Sequence, residues 1–237
     1  MSRLIREDFA EFIAFLNVFD FSALIKNDDY IALMRASHAK LLGLLAMVSE
    51  LRHEDGSAAP TFLDDYLPDG SLYLGEVLSD CSEALMCIAL GCNRAAAGAL
   101  RSAIESFAKA FALGESPEIL HCTSVPEVFG FASGSSFFSH EVAARAFSDL
   151  RSIYSELNLF VHTVAPGNMF SVPAVGHFPR YQASSTELVG LFVRTVRLFL
   201  LCGVSARRDL FDAFDHRNRD VIVAALTKDQ RRLAFGT

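Results

Sequence analysis

The apolar residues of this chain recur with the 3.6-residue period of an α-helix almost from end to end. In residues 4–17 they fall three or four positions apart, which places them on one side of a helix. A second stretch, 139–163, shows the same spacing. The apolar stripe of this second stretch consists of Phe147, Leu150, Ile153, Leu157 and Val161.

Residues that begin and end helices divide this periodic pattern into segments. Asp28 or Asp29 can cap a helix that runs to about residue 52. Gly91 can end the helix 72–90, and Asn93 can cap the helix 94–113 that follows it. Ser139 is expected to open a long helix. The predicted helices are 4–17, 28–52, 72–90, 94–113, 139–163, 185–203, 206–214 and 217–233, with short ones near 118–122 and 125–132.

Two long segments lack helical periodicity. Residues 54–71 and 165–185 are rich in Gly, Pro, Asp and Ser and are expected to be loops. A loop as long as the second is unusual inside a compact domain and often carries function. The pattern as a whole predicts an all-α fold, a multi-helix bundle in which residues 1–70 form an N-terminal helical extension packed on a helical domain of residues 71–237.

Composition supports a helical protein with a large core. Of the 237 residues, 51% are hydrophobic and only 21% are charged, which argues against disorder. The formal net charge of −7 is uneven, because residues 1–177 hold 11 basic and 22 acidic residues whereas the last 60 hold 10 and 6. A strongly basic nucleic-acid binder is therefore not indicated. The C-terminal arginines either solvate exposed helix faces or make a local contact with nucleic acid.

Several classes of site are not supported by the sequence. The 5 cysteines form no C-x-x-C pair, and their odd number suits reduced thiols in the cytoplasm. The N-terminus does not read as a signal peptide. Residues 188–204 are apolar but carry Arg194 and Arg197, which favours a core helix over a membrane span. No phosphate-binding loop or paired metal-ligand spacing occurs, so we predict no metal and no cofactor.

The stretch YSELNLFVHT (154–163) places Tyr154, Asn158 and His162 one helical turn apart. On an ideal helix they share a narrow stripe with Arg151, about a quarter turn or more from the apolar stripe. This stripe is either the polar edge of a half-buried helix or a site. Asn158 and His162 lie about 6 Å apart along the axis, but Arg151 and His162 lie about 16 Å apart. Joint action of the last two on one bond would need a second copy of the chain.

A second polar pair lies in the segment ALRSAIESFAKAFAL (99–113). Arg101 and Glu105 are four residues apart and share one face of a helix that is otherwise apolar or small. Exposed pairs of this kind contribute only a few tenths of a kcal/mol. If the pair is buried in an interface, each charge requires a partner.

These two helices carry a resemblance. LRSAIESFAKA (100–110) followed by YSELNLFVHT (154–163) resembles the HEPN superfamily of prokaryotic helical domains, in particular its members in phage-defence, abortive-infection and toxin–antitoxin systems. The resemblance covers roughly residues 75–205. It implies a HEPN-like helical core with extra N-terminal helices, a homodimer, and action on RNA as a metal-independent ribonuclease.

The resemblance also implies roles for particular residues. His162 corresponds to the family histidine, which acts as a general acid/base. The family arginine has no close counterpart, because the nearest arginine upstream is Arg151, and ten residues separate it from His162. The predicted catalytic residues are His162, Asn158 and Arg151. The predicted substrate-binding residues are Tyr154, Arg101, Glu105, His177 and Arg180.

Two alternatives stay open. A HEPN-like module without catalytic activity would dimerise or bind a nucleotide or a protein partner from a defence or antitoxin system. An unrelated helical protein would use the polar stripe only as a solvated helix face.

Overall fold

The structure is a computed structural model that describes residues 3–17, 21–51, 68–162 and 183–236. Every regular element in these segments is a helix, which confirms the all-α prediction. One of them is a 3-10 helix, Pro117–His121. The α-helices are α1 (Arg3–Leu16), α2 (Ser22–Ile25), α3 (Asp28–Leu51), α4 (Pro68–Leu90), α5 (Asn93–Ala112), α6 (Val125–Gly134), α7 (Ser136–Ser139), α8 (Glu141–Val161), α9 (Ala183–Ala206), α10 (Arg208–Ala213), α11 (His216–Ala225) and α12 (Lys228–Phe235).

Helix α5 lies at the centre of the bundle. It packs against α4, α6, α8 and α9, and its buried face is rich in alanine, whose small side chain lets neighbouring helices approach closely. Larger aromatic residues fill the space at its C-terminal half. Phe107 stacks on Phe199 of α9 with ring centres 4.4 Å apart, and Phe111 stacks on Phe137 of α7 at 3.9 Å. These contacts fix the position of α5 against the helices that surround it.

Helix α3 belongs to the same core as the helices that follow it. It packs against α4, α9 and α11, and its buried residues join the main hydrophobic cluster. Gly43 permits the close approach to α11, because a Cβ atom at this position would lie 2.9 Å from the Cβ of Ala225. Any larger residue would force α3 and α11 apart.

Two predicted helix caps are wrong. Asp28 and Asp29 lie in the first turn of α3, and the cap is Asn27, whose Oδ1 accepts a hydrogen bond from the backbone N–H of Tyr30 at 2.9 Å. Asn93 is the first residue of α5 and does not cap it. Its side chain is buried, and its Oδ1 accepts a hydrogen bond from Ser185 Oγ at 3.0 Å. A tertiary partner on α9 therefore replaces the local role that the sequence predicts.

Other helix boundaries also differ from the prediction. Helix α8 begins at Glu141, because Ser139 ends the short helix α7. The predicted helix 217–233 is two helices, and Thr227 begins the second through a hydrogen bond from the N–H of Gln230 to its Oγ1 at 3.1 Å. Helix α4 begins at Pro68, inside the first predicted loop. The parts 54–67 and 165–182 of the two predicted loops lie outside the described residues.

Two helices are long and apolar enough to cross a membrane by length and composition alone. They are α3 and the segment Ser185–Ala206 of α9. Within this fold 72% of the apolar window of α9 is buried against other helices, and 44% of that of α3. Helix α9 is thus a core helix of the bundle, as predicted for residues 188–204, and it contacts α3, α5 and α8.

Candidate functional site

Helices α5, α6 and α8 line an open cleft of about 740 Å³. Its polar wall consists of two arginines, three serines, a tyrosine and an asparagine. The described residues that line the cleft include no carboxylate. Such a wall offers hydrogen-bond donors and positive charge to a ligand. The lining residues are Arg101, Val125, Pro126, Phe129, Ser148, Arg151, Ser152, Tyr154, Ser155 and Asn158.

The polar stripe of α8 forms one wall of the cleft. Its apolar stripe is buried against the bundle, so the residues offset from it by a quarter turn or more face the cleft. Helix α6 forms the opposite wall through Val125, Pro126 and Phe129. Glu127 fixes the N-terminus of α6, because its Oε2 accepts hydrogen bonds from the backbone N–H groups of Thr123 and Ser124 at 3.2 and 3.3 Å.

Tyr154 connects the two helices that carry the predicted ligand-binding residues. Its hydroxyl accepts a hydrogen bond from Arg101 Nη2 at 2.6 Å and donates one to Glu105 Oε1 at 2.7 Å. The guanidinium carbon of Arg101 also lies 4.7 Å from the centre of the tyrosine ring. The pair Arg101 and Glu105 is therefore neither a surface pair nor an isolated interface pair, because the hydroxyl of Tyr154 joins both charges across the α5–α8 contact.

The environment of Tyr154 favours its neutral form. Burial raises the pKa of the phenol, the hydrogen bond from Arg101 lowers it, and the hydrogen bond and charge of Glu105 raise it again. A neutral hydroxyl is the species that the geometry requires, since it must donate to Glu105 while it accepts from Arg101. Tyr154 thus holds the Arg101 side chain in place at neutral pH.

A group of carboxylates lies behind this contact, between α4 and α5. Burial raises the pKa of Asp80, and a hydrogen bond from Ser102 opposes that rise. The nearby charges of Glu76, Glu83 and Glu105 raise it further. None of these carboxylates lines the cleft. The carboxylates of Asp80, Glu76 and Glu83 belong to α4, whereas Glu105 lies directly behind Tyr154 of the cleft wall.

Two buried polar atoms of the lining residues have no hydrogen-bond partner within the described part of the chain. They are Arg101 Nε, a donor, and Asn158 Oδ1, an acceptor. A buried polar atom without a partner costs about 1–3 kcal/mol, so such atoms usually find a partner in water or in a ligand. A donor on α5 and an acceptor on α8 therefore lack a protein partner beside the same cleft.

The α6 wall of the cleft carries an aromatic ring, Phe129. The Phe129 ring meets Tyr154 edge to face with ring centres 5.3 Å apart. The guanidinium carbon of Arg151 lies 5.9 Å from the centre of the Phe129 ring, so the exposed Arg151 extends along the cleft wall. One side of the site is apolar and the other is cationic, an arrangement that suits a ligand with both an anionic group and a flat or apolar part.

The structure brings together five of the eight predicted site residues. Arg101, Arg151, Tyr154 and Asn158 line the cleft, and Glu105 contacts it through Tyr154. His162 does not line it. This histidine lies just past the end of α8 and is exposed, with its backbone N–H bonded to the carbonyl of Asn158 at 2.9 Å.

Six of the ten described lining residues were not among the predicted site residues, and the remaining predictions fall elsewhere. His177 and Arg180 lie outside the described residues. The α6 wall was missed because only the tertiary fold decides which helix covers the stripe of α8. The helical wheel places Ser155 on that stripe, and Ser148 and Ser152 lie beside it, so these serines could have been identified from the sequence.

The fold and the cleft define an all-α protein with a site suited to an anionic ligand. Comparisons of the chain with models of protein families, with curated proteins and with solved structures found no match.

Proposed function

We propose that this protein binds RNA through the α5–α8 cleft, with a phosphate group held between Arg101 and Arg151. The observation that carries the proposal is the composition of the cleft wall, which presents two arginines and no carboxylate among its described lining residues. Guanidinium groups are well suited to phosphate, because their planar fork of donors matches two phosphate oxygens.

The hydrogen bonds of Arg101 support a role in ligand binding. Its Nη2 is fixed by Tyr154, while its Nε is buried without a partner in the described chain. Glu105 balances the positive charge from behind the tyrosine and does not line the cleft. An arginine held in this way pays little conformational entropy when it binds an anion.

The size of the cleft and its remaining polar groups favour a nucleotide unit over a free inorganic anion. A volume of about 740 Å³ falls within the range of about 300–1,000 Å³ that is typical of small-ligand sites. Asn158 offers an amide for hydrogen bonds to a base or ribose, and Phe129 an apolar contact. The resemblance to HEPN domains favours RNA as the source of that nucleotide and a prokaryotic defence or toxin system as its context.

Cleavage of the bound RNA is a second candidate function. The specific observation in its favour is the position of His162, exposed one turn beyond Asn158 of the cleft wall. An imidazole in this place is available as a general acid or base. Arg151 and His162 are about 16 Å apart along α8. A ribonuclease therefore requires the homodimer that the resemblance implies, in which one copy supplies the arginine and the other the histidine.

The binding proposal is tested by fluorescence anisotropy with a labelled single-stranded RNA. The variant Arg101→Met/Arg151→Met removes both cationic groups of the cleft. Its matched control is Arg145→Met, which removes an exposed arginine of α8 that does not line the cleft. We expect the affinity of the double variant to fall about 100-fold or more, as befits two charged contacts, and that of the control to stay within about twofold. Equal losses in both variants would refute a cleft-specific site.

The cleavage proposal is tested with the same RNA in the absence of divalent metal ions. Wild-type protein and His162→Ala are incubated with the RNA, and the products are separated by electrophoresis. Cleavage by the wild type that is lost in His162→Ala supports a ribonuclease. Equal cleavage by both proteins, or none by either at a concentration that saturates binding, removes cleavage and leaves RNA binding intact.

A further inference from the structure

The turn between α4 and α5 brings two cysteines into proximity. Gly91 adopts a left-handed conformation with φ 75° and ends α4. The N–H of Gly91 bonds to the carbonyl of Ile88 at 3.0 Å, and the N–H of Cys92 bonds to the carbonyl of Cys87 at 2.7 Å. These two bonds define a Schellman motif, in which the side chains at the two ends of the longer bond commonly touch. Here those two residues are Cys87 and Cys92.

Solvent can also reach Cys87 and Cys92. All five thiols are free, and Cys81 and Cys202 are buried in the core. Cys87 and Cys92 are half-buried, so small molecules in solution can contact them. Half-buried Cys122 lies elsewhere, at the end of the 3-10 helix after α5, where its Sγ–H group donates to the carbonyl of Glu118.

We propose that Cys87 and Cys92 are a redox-active dithiol that closes reversibly to an intrachain disulfide. The backbone bond between the two residues holds their Cα atoms close, and a disulfide needs a Cα separation of about 4.4–6.8 Å. The turn is already closed by its hydrogen bonds, so the fold does not have to open for the sulfurs to meet. The proposal is independent of the RNA-binding cleft.

The oxidant is a low-molecular-weight disulfide such as oxidised glutathione. The thiolate of Cys92 attacks one sulfur of that disulfide, forms a mixed disulfide and releases one glutathione thiolate. The thiolate of Cys87 then attacks the sulfur of Cys92, forms the intrachain S–S bond and releases the second. The two cysteines lose two electrons and two protons, and the oxidant becomes two glutathione thiols.

The order of attack follows from the two environments. Burial raises the pKa of Cys92, whereas burial, the charge of Cys92 and the charge of Glu83 together raise the pKa of Cys87 to about 11. Cys92 therefore supplies more thiolate and attacks first. Both thiols are mainly protonated at neutral pH, so closure is slow and accelerates as the pH rises.

Peptide mapping by tandem mass spectrometry tests the proposal. Full-length protein is incubated with oxidised glutathione at mildly alkaline pH, and the remaining thiols are blocked by alkylation. The wild type is expected to show an internal disulfide between Cys87 and Cys92 with no lasting glutathione adduct at either residue. Cys87→Ser is expected to accumulate the glutathione adduct on Cys92, because the resolving thiol is absent, and the control Cys122→Ser to form the same internal disulfide as the wild type.

The wild-type map alone decides the proposal even if a variant folds poorly. Persistent glutathione adducts on the wild-type pair would show that the sulfurs do not meet. Recovery of both wild-type residues in their alkylated form after prolonged oxidation would show that the pair is inert. Either result overturns the proposal.

Discussion

Two half-buried arginines of this protein occupy different surroundings. Arg101 of α5 bonds to a tyrosine that is itself bonded to Glu105, and it lines an open cleft. Arg197 of α9 donates from Nε to the carbonyl of Ala225, the last residue of α11, at 3.2 Å. The charge of Arg197 also acts on another cation, Lys40 of α3, whose pKa it lowers.

The difference shows what each arginine does. A guanidinium that binds the carbonyl at the end of a helix satisfies an acceptor that the helix leaves free, which is a structural role. Arg101 instead retains a buried donor without a partner in the described chain and faces a cavity. The same residue type therefore stabilises the fold in one place, and in the other it is the residue that we propose binds a ligand.

The largest expected effect separates the two arginines directly. Arg101→Met is expected to weaken RNA binding about 30-fold, because a charged hydrogen bond to the ligand is worth about 2 kcal/mol. Arg197→Met is expected to leave the affinity within about twofold, because Arg197 does not line the cleft. Anisotropy titrations of both variants check this, and an equal loss in the two would remove the distinction.

The next effect concerns the tyrosine that orients Arg101. Tyr154→Phe leaves the half-buried groups of Arg101 and Glu105 without their shared partner, so the free energy of unfolding is expected to fall by about 1–2 kcal/mol. Urea denaturation measures the change. The control is Tyr73→Phe, since the hydroxyl of Tyr73 has no hydrogen bond within the described chain. A loss no larger than that of the control would show that the Tyr154 hydroxyl does not hold the site together.

Lys40 provides a pH-dependent test of the second region. Burial, and then the charge of Arg197, lower the pKa of Lys40 to about 8. The unfolded chain, with the usual lysine pKa of about 10.4, binds more protons than the folded chain between these values, so this group makes the protein more stable as the pH rises from about 8 to 10.

Replacement of Lys40 should remove that dependence. Lys40→Met is expected to raise the free energy of unfolding at pH 7 by about 1 kcal/mol after allowance for solvent screening, and to flatten the rise above pH 8. Denaturation curves across this range provide the measurement. A less stable variant at pH 7, or an unchanged slope, would contradict the conclusion that burial and the charge of Arg197 destabilise the protonated Lys40.

The smallest effect is expected at the rim of the cleft. Arg151 is exposed, and its contact with the Phe129 ring is long at 5.9 Å. Arg151→Met is therefore expected to weaken RNA binding only about threefold, as is usual for a charge in contact with solvent. A loss as large as that of Arg101→Met would show that Arg151, and not the buried arginine, is the principal phosphate ligand.

The sequence predicts what is local in this molecule. Periodicity identifies the helices, and the helical wheel of α8 places Tyr154, Asn158 and Arg151 on the stripe that lines the cleft. The break before α12 was also readable, because Thr227 and Gln230 have the spacing of a capping box. What the sequence could not show is which helix faces which.

The missed features depend on residues that are distant in the chain. Tyr154 meets Arg101 and Glu105 across about fifty residues, and Asn93 meets Ser185 across more than ninety. No local pattern encodes these contacts, because they follow from how α5 packs between α8 and α9. The presumed cap at Asn93 was wrong for this reason. The proposed roles of His162 and the homodimer stay predictions.

The salt dependence of RNA binding tests the central claim most directly. The slope of log affinity against log salt concentration reports how many phosphates the protein neutralises, at about 0.7 per phosphate for a single strand. Because the two arginines hold one phosphate between them, we predict that the slope of Arg101→Met/Arg151→Met is shallower than that of the wild type by about 0.7, while Arg145→Met keeps the wild-type slope. A double variant with the wild-type slope would contradict the assignment of the α5–α8 cleft as the phosphate site.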